Sequence, residues 1–246
     1  MNEHKVALIT GAAKRIGAAI SRRLHQSGYQ VVLHYRRSAA QAQALADELN
    51  AQRANSATLQ AADFAQPSAT EDLIQAVLAA QGRLDVLINN ASTYYPTPVG
   101  QATQDDWQDL FTSNAQAPFF LAQAAAPALR RAQGCIVNLV DIYAERPLPD
   151  HPVYCMAKAA NAAMVKSLAL DLAPEVRVSG VAPGAAEWPD DSQPTVEHQK
   201  KVLARVPLQR LSGADEIAAA VQFLVTGTNY VTGQILAVDG GRSAQQ

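Results

Sequence analysis

Seven short apolar runs, most of them followed by a stretch with apolar residues at helical spacing, limit this chain to very few architectures. Val6-Ala7-Leu8-Ile9 runs into Thr10-Gly11, and Ile16, Ala19, Ile20 and Leu24 then recur about one turn apart, which reads as strand, glycine turn and helix. The pattern returns as Val31-Val32-Leu33 before a helix over 39–49, as 58–61 before one over 70–80, and as 84–88 before one near Trp107. It closes with 135–139 before a long helix over 154–172, then 176–181, a helix over 215–224 and a last strand at 235–238. Strands buried on both faces and joined by helices predict an α/β fold with a doubly wound, mostly parallel sheet. No repeat or linker divides the chain, so one domain over 1–246 is expected. The one long irregular segment, about 183–208, carries Pro183, Pro189, Pro194 and Pro207; a connection of that length is usually a lid or binding loop, often with a short helix.

Between the first strand and helix lies Thr10-Gly11-Ala12-Ala13-Lys14-Arg15-Ile16-Gly17. Glycines there let the backbone approach a pyrophosphate, and the helix amino terminus offers it free N–H groups and partial positive charge. Gly11, Arg15, Ile16 and Gly17 are therefore cofactor-binding candidates. About 20 residues on, NAD-binding units place an Asp or Glu against the adenosine ribose. Here the second strand ends instead in His34-Tyr35-Arg36-Arg37-Ser38. A carboxylate repels a 2′-phosphate, whereas guanidinium and hydroxyl groups hydrogen-bond and neutralise it, so the expected cofactor is NADPH. The plain alternative is a solvated basic turn. Asp63 can bind the adenine amino group, and Asn90, Ala91 and Ser92 close the fourth strand at the edge where cofactors lie.

Composition removes other classes. A net charge of −2 with no block of like charge argues against nucleic-acid or membrane-surface partners. No apolar run approaches the ~20 residues of a membrane span, and the amino terminus goes straight into a strand pattern, so a cytoplasmic protein is expected. Cys135 and Cys155 make no disulfide or metal framework, and the five histidines show no ligand spacing, so no metal is expected.

Tyr154 and Lys158 stand four apart in the long helix and so share one face. A nearby cation favours the ionised phenol, so Lys158 is expected to lower the pKa of Tyr154 and make it a proton donor near neutrality. Taken alone, the pair also fits an ordinary solvated helix surface.

With these residues assembled, the chain resembles the short-chain dehydrogenase/reductase family along essentially its full length. The resemblance rests on Thr10-Gly11 with Gly17, Asn89-Asn90-Ala91, Asn114, Tyr154 with Lys158, Pro183-Gly184 and Val238-Asp239-Gly240-Gly241. It implies a single-domain Rossmann fold, Tyr154 as catalytic acid/base, Lys158 on the nicotinamide ribose, Asn114 in a proton relay, Pro183 and Gly184 at the cofactor, and a homotetramer. Ala159, Ala160, Ala162 and Ala163 allow close helix packing in such an assembly, though alanine also simply favours helix.

Two departures narrow the match. Arg15 replaces the middle glycine of the turn, and Asp141, thirteen residues before Tyr154, stands where the family has a catalytic Ser. Both are shared by pteridine reductases, which the chain also resembles in His34–Ser38 and in Asn90-Ala91-Ser92-Thr93-Tyr94-Tyr95-Pro96. An ionised carboxylate cannot donate to a ketone oxygen, but a buried carboxyl can hold a proton for a ring nitrogen. A pterin substrate is therefore expected, whether biopterin, a dihydropterin or dihydrofolate, with NADPH delivering hydride and Asp141 or Tyr154 the proton. Tyr94 offers an aromatic face for a flat heterocycle. Arg15 can reach both cofactor phosphate and substrate, and the resemblance places it with Ser92 in the pocket. Trp188 either caps the pocket or packs its loop down. The competing readings are a ketone reductase, such as one acting on a 3-oxoacyl thioester, and a catalytically idle NADPH-binding regulator.

Overall fold

In the computed structural model, which describes residues 4–186 and 195–245, all seven apolar runs are strands: β1 (Val6–Ile9), β2 (Gln30–Tyr35), β3 (Ala57–Ala61), β4 (Val86–Asn89), β5 (Cys135–Leu139), β6 (Arg177–Pro183) and β7 (Ile235–Val238). They form one sheet in the order β3-β2-β1-β4-β5-β6-β7, with every neighbouring pair parallel.

Both faces are covered, which is why the runs show no alternation. Ala7 and Ile9 of β1 face one apolar cluster, with Ile20 and Leu24 of α1 (Arg15–Gln26), Leu45 and Leu49 of α2 (Ala39–Gln52), and Ile217 and Val221 of α8 (Ala214–Gln222). Val6 and Leu8 face the other, with Ile74 and Val77 of α3 (Ala69–Gln81), Leu121 and Leu129 of α5 (Ala117–Ala132), and Leu168 of α6 (Pro152–Asp171).

The strand order reverses between β1 and β4, and a doubly wound sheet opens its ligand crevice there, beyond the carboxyl ends of the strands. The glycine turn, residues 89–92 and residues 139–141 all meet at that edge.

One helical feature, the π-type turn that leads into α5, lies outside the sequence expectation. The helix near Trp107 is α4 (Gln104–Phe111), started by a Thr103/Asp106 capping box, and it runs through a wider π-type turn at Thr112–Gln116 into α5. In the irregular segment, α7 (Val196–Leu203) is the short helix; Trp188, Pro189 and Pro194 lie outside the described residues.

Candidate active site

The glycine turn is built by close approach. Gly11 has φ +61°, and a Cβ on Gly17 would sit 2.2 Å from the Gly11 carbonyl oxygen. Thr10 accepts from the N–H groups of Asn90 and Ala91, each at 2.9 Å, while the Asn90 amide donates to the carbonyls of Thr10 and Gly11 at 2.8 and 3.1 Å. Asn90 thus pins the end of β4 to the turn. Arg15 adopts φ +48° where the family pattern has glycine, and it is exposed. No side chain caps the first turn of α1, whose N-cap is Lys14, so Ile16 and Gly17 lie at an amino terminus suited to an anion.

Beyond β2, Arg36 and Arg37 are exposed, and Ser38, at the N-cap of α2, makes no capping hydrogen bond. Asp63 sits 4.0 Å from the Arg36 guanidinium and accepts from the Ala65 N–H at 3.1 Å. His34 differs from its neighbours. It is buried and stacked on Phe64, with ring centroids 4.6 Å apart. Its Nδ1 accepts from the Gly11 N–H at 3.1 Å, so Nε2 carries the proton and donates to the Ala62 carbonyl at 3.2 Å. Burial pushes its pKa down to about 4. His34 therefore braces the turn as a neutral ring and offers a phosphate no charge. Tyr35, next to it, is half-buried. These groups fit a dinucleotide carrying an extra phosphate: a backbone-lined turn with no Cβ in its narrowest part, an uncapped helix start and two guanidiniums in the place of a ribose-binding acid.

Asp141 and Tyr154 meet at the ends of β5 and α6. The Tyr154 hydroxyl donates to Oδ2 of Asp141 at 2.7 Å, and the Tyr143 N–H donates to Oδ1 at 2.9 Å. Burial raises the Asp141 pKa, against the lowering effects of these two hydrogen bonds and of Lys158. The expectation that Lys158 lowers the Tyr154 pKa fails. Burial first, and then the neighbouring Asp141 carboxyl, push the phenol well above its ordinary range. The ammonium cannot offset this: it lies 5.7 Å from the ring centroid, donates to the Leu139 carbonyl at 2.9 Å, and is itself pushed down to about 8 by burial. A carboxyl and a phenol are thus hydrogen-bonded to each other in a buried site, with the Lys158 ammonium held beside them on the Leu139 carbonyl.

Tyr94 is 53% exposed, stacks on His151 at 4.8 Å and meets Tyr154 edge-on at 4.9 Å. It stands over the acid pair, one ring face already partnered. Ser92 donates to the Asn114 side-chain oxygen at 2.8 Å, and the Asn114 amide donates to the carbonyls of Thr93 and Leu110 at 2.9 and 3.0 Å, which anchors the π-type turn. At the far edge, a Cβ on Gly184 would meet Asp239 at 2.6 Å, so the chain past Pro183 packs directly on the loop after β7.

Sequence reasoning missed three contributors. Asn161 donates to the Asn114 carbonyl at 2.8 Å and accepts from Asn138 at 2.9 Å, which accepts in turn from Asn89 at 2.9 Å, a buried amide ladder across the sheet. Its signal was spacing: Asn161 falls one helical turn beyond Lys158. His151 and Arg242, which lies 5.4 Å from the centroid of the Tyr143 ring, had no local signal. Among the described residues, no group of three or more His, Cys, Asp or Glu side chains is placed to hold a metal, and no helix is long and apolar enough to cross a membrane.

The model of a family described as enoyl-(acyl carrier protein) reductase matches residues 11–243. Pteridine reductase 1 of Leishmania tarentolae is 42% identical over 279 aligned positions, covering 97% of this chain and 96% of that protein. A 3-oxoacyl-acyl-carrier-protein reductase of Staphylococcus aureus is 32% identical over 244 positions, covering 98% of this chain and 99% of that one. A putative ketoacyl reductase of granaticin polyketide synthesis in Streptomyces violaceoruber is 34% identical over 248 positions, covering 97% and 96%.

Proposed function

The chain belongs to the short-chain dehydrogenase/reductase family, and from that premise we propose that it reduces a dihydropterin, using NADPH, at a ring C=N bond. The observation that carries this reading is the 2.7 Å hydrogen bond from Tyr154 to Asp141, a carboxyl where the family pattern has a Ser hydroxyl. NADPH, when bound, supplies the hydride. Arg36, Arg37 and Ser38 hold its extra phosphate, the Gly11–Gly17 turn its pyrophosphate, and Asp63 its adenine. Asn90, Ala91, Ser92, Pro183 and Gly184 frame the nicotinamide half, and Lys158 bonds the adjacent ribose.

The proton comes from this chain. Burial favours the neutral carboxyl, so Asp141 serves as a proton reservoir behind the Tyr154 hydroxyl: the phenol gives its proton to the substrate nitrogen and is reprotonated by the carboxyl it bonds. Tyr94 covers the heterocycle from the exposed side, Ser92 and Arg15 bind its polar edge, and Asn114, held by Asn161, keeps Ser92 in position. The described chain does not define the part taken by Trp188. Assembly as a cytoplasmic homotetramer belongs to the same proposal; Ala159, Ala160 and Ala163 are exposed along α6.

Reduction of a 3-oxoacyl thioester is the second reading, favoured by the likeness to 3-oxoacyl and ketoacyl reductases. Assaying Asp141→Ala and Tyr154→Phe against a dihydropterin tests the first. Loss of turnover in both supports the acid pair, and near-full activity in both removes it.

A further inference from the structure

The turn after β7 is folded back on itself by its own acid. Oδ1 of Asp239 accepts from the Gly241 N–H at 2.9 Å and Oδ2 from the Ser243 N–H at 2.6 Å, while Gly240 and Gly241 take the left-handed conformations, φ +63° and +87°, that let the chain reverse. The reversal brings Arg242, half-buried, to Tyr143, with its guanidinium carbon 5.4 Å from the ring centroid and so within range of a cation–π contact. Tyr143 is also the residue whose backbone N–H holds Oδ1 of Asp141 at 2.9 Å. The opposite carboxyl oxygen takes the Tyr154 hydroxyl. One carboxyl is thus held from two sides, and the holder on the Tyr143 side is steadied by a cation from the far end of the chain.

We infer that Arg242 is a positioning residue for the reduction: set over the Tyr143 ring by the turn after β7, it steadies the N–H that holds Asp141 and presents a permanent positive charge on that side of the carboxyl. The inference rests on the reading of Asp141 as the proton reservoir. The other groups around Asp141 cannot supply the same charge. Tyr154, Cys155 and Lys158 face it from α6, Tyr94 from the segment after β4, and Glu145 and Arg146, of opposite sign, line a cavity that Asp141 also lines. Burial raises the Asp141 pKa, and its two hydrogen bonds, Lys158 and Arg242 all act to lower it. Of these two cations, Lys158 is itself pushed down to about 8 by burial, so its charge fades as pH rises, whereas a guanidinium stays charged throughout. A proton donor works best with its pKa near the working pH. A buried carboxyl that must release its proton as well as hold it therefore needs a counterweight that does not titrate.

The test follows the Asp141 carboxyl itself. Its titration is read in the cofactor-free protein from the infrared carboxyl bands, as the difference from an Asp141→Asn reference, in the natural chain, in Arg242→Gln and in Arg242→Lys. The expected result is a titration moved to higher pH in Arg242→Gln and returned towards its natural place in Arg242→Lys, which keeps the charge. In turnover of dihydrobiopterin at saturating NADPH, the alkaline limb of kcat should move with the carboxyl in Arg242→Gln. There kcat should fall by about tenfold, short of the ~10²–10⁴-fold that general acid–base catalysis supplies, with the KM for NADPH level. A titration that Arg242→Gln leaves in place, or that Arg242→Lys fails to restore, overturns the positioning role and leaves the reading of Asp141 standing. A titration that moves while the limb stays put shows that turnover does not depend on the Asp141 proton, and the reservoir reading then falls together with the inference.

Discussion

The Tyr154 hydroxyl donates to Asp141 Oδ2 across 2.7 Å while the other carboxyl oxygen is held by a backbone N–H at 2.9 Å, so the carboxyl is fixed in place through both oxygens with the phenol directly against it. Burial raises the pKa of both groups. With the protonated carboxyl as the reservoir, turnover should fall as pH rises through the Asp141 pKa. Tyr154→Phe removes a hydrogen bond that favours the ionised carboxylate, so that limb should move to higher pH, with kcat down by ~10²–10⁴-fold. A pH–rate profile of the variant checks both.

Lys158 separates function from stability. Its pKa is pushed by burial from 10.5 to about 8, so the charged form is disfavoured in the folded protein. Below about pH 8 the folded state carries the cost of a buried ammonium. Between about 8 and 10.5 the unfolded chain binds more protons than the folded one, and stability rises with pH. Lys158→Met should therefore raise stability at neutral pH, by up to on the order of 3 kcal/mol, and lose that advantage towards pH 10.5, while cofactor affinity and turnover collapse. Thermal unfolding across pH 6–10 () measures the first effect and NADPH titration the second.

The proposed preference for NADPH rests on two exposed guanidiniums, Arg36 and Arg37. Replacing Arg36 by Asp, with Arg37→Ala, should raise the KM for NADPH by about 10–100-fold, as expected from losing charge-assisted hydrogen bonds to a phosphate. The KM for NADH should stay level or fall. Steady-state kinetics with both nucleotides decides it; equal losses for the two would move the 2′-phosphate elsewhere.

His34 sets an acid limit to folding. Burial lowers its pKa from 6.5 to about 4, so between those values the unfolded chain binds the extra proton. The corresponding stability, on the order of 3 kcal/mol, is complete above about 6.5 and is lost as pH falls to about 4. His34→Asn keeps an acceptor for the Gly11 N–H and cannot titrate. Its urea midpoint should be flatter than that of the natural chain across this window.

Much of this was legible beforehand because strands buried on both faces are continuous apolar runs: the β7 residues 235–238 match the observed strand, and β1 does likewise. The helix α5 was not singled out, since Pro127 within it and its run of alanines blur the helical period. The π-type turn depends on Asn114 bonding back to Leu110 and across to Thr93, a tertiary contact with no local signature. His34 was grouped with Arg36 and Arg37 because a strand covered on both sides gives no alternation to tell the buried ring from the exposed cations. The Tyr154 pKa was misjudged for a related reason: spacing shows that Tyr154 and Lys158 share a helix face, but not that both are buried or that the ammonium bonds the Leu139 carbonyl instead.

The central claim is that a carboxyl at position 141, not a hydroxyl, selects a ring nitrogen as the proton acceptor. Asp141→Ser restores the family pattern, and its kcat/KM for a dihydropterin and for a 3-oxoacyl thioester, measured beside the natural chain, tests the claim most directly. The account predicts a loss of about 100-fold or more on the pterin with activity on the thioester held or gained, within the range for removing a general acid. Pterin reduction that persists in Asp141→Ser would contradict it.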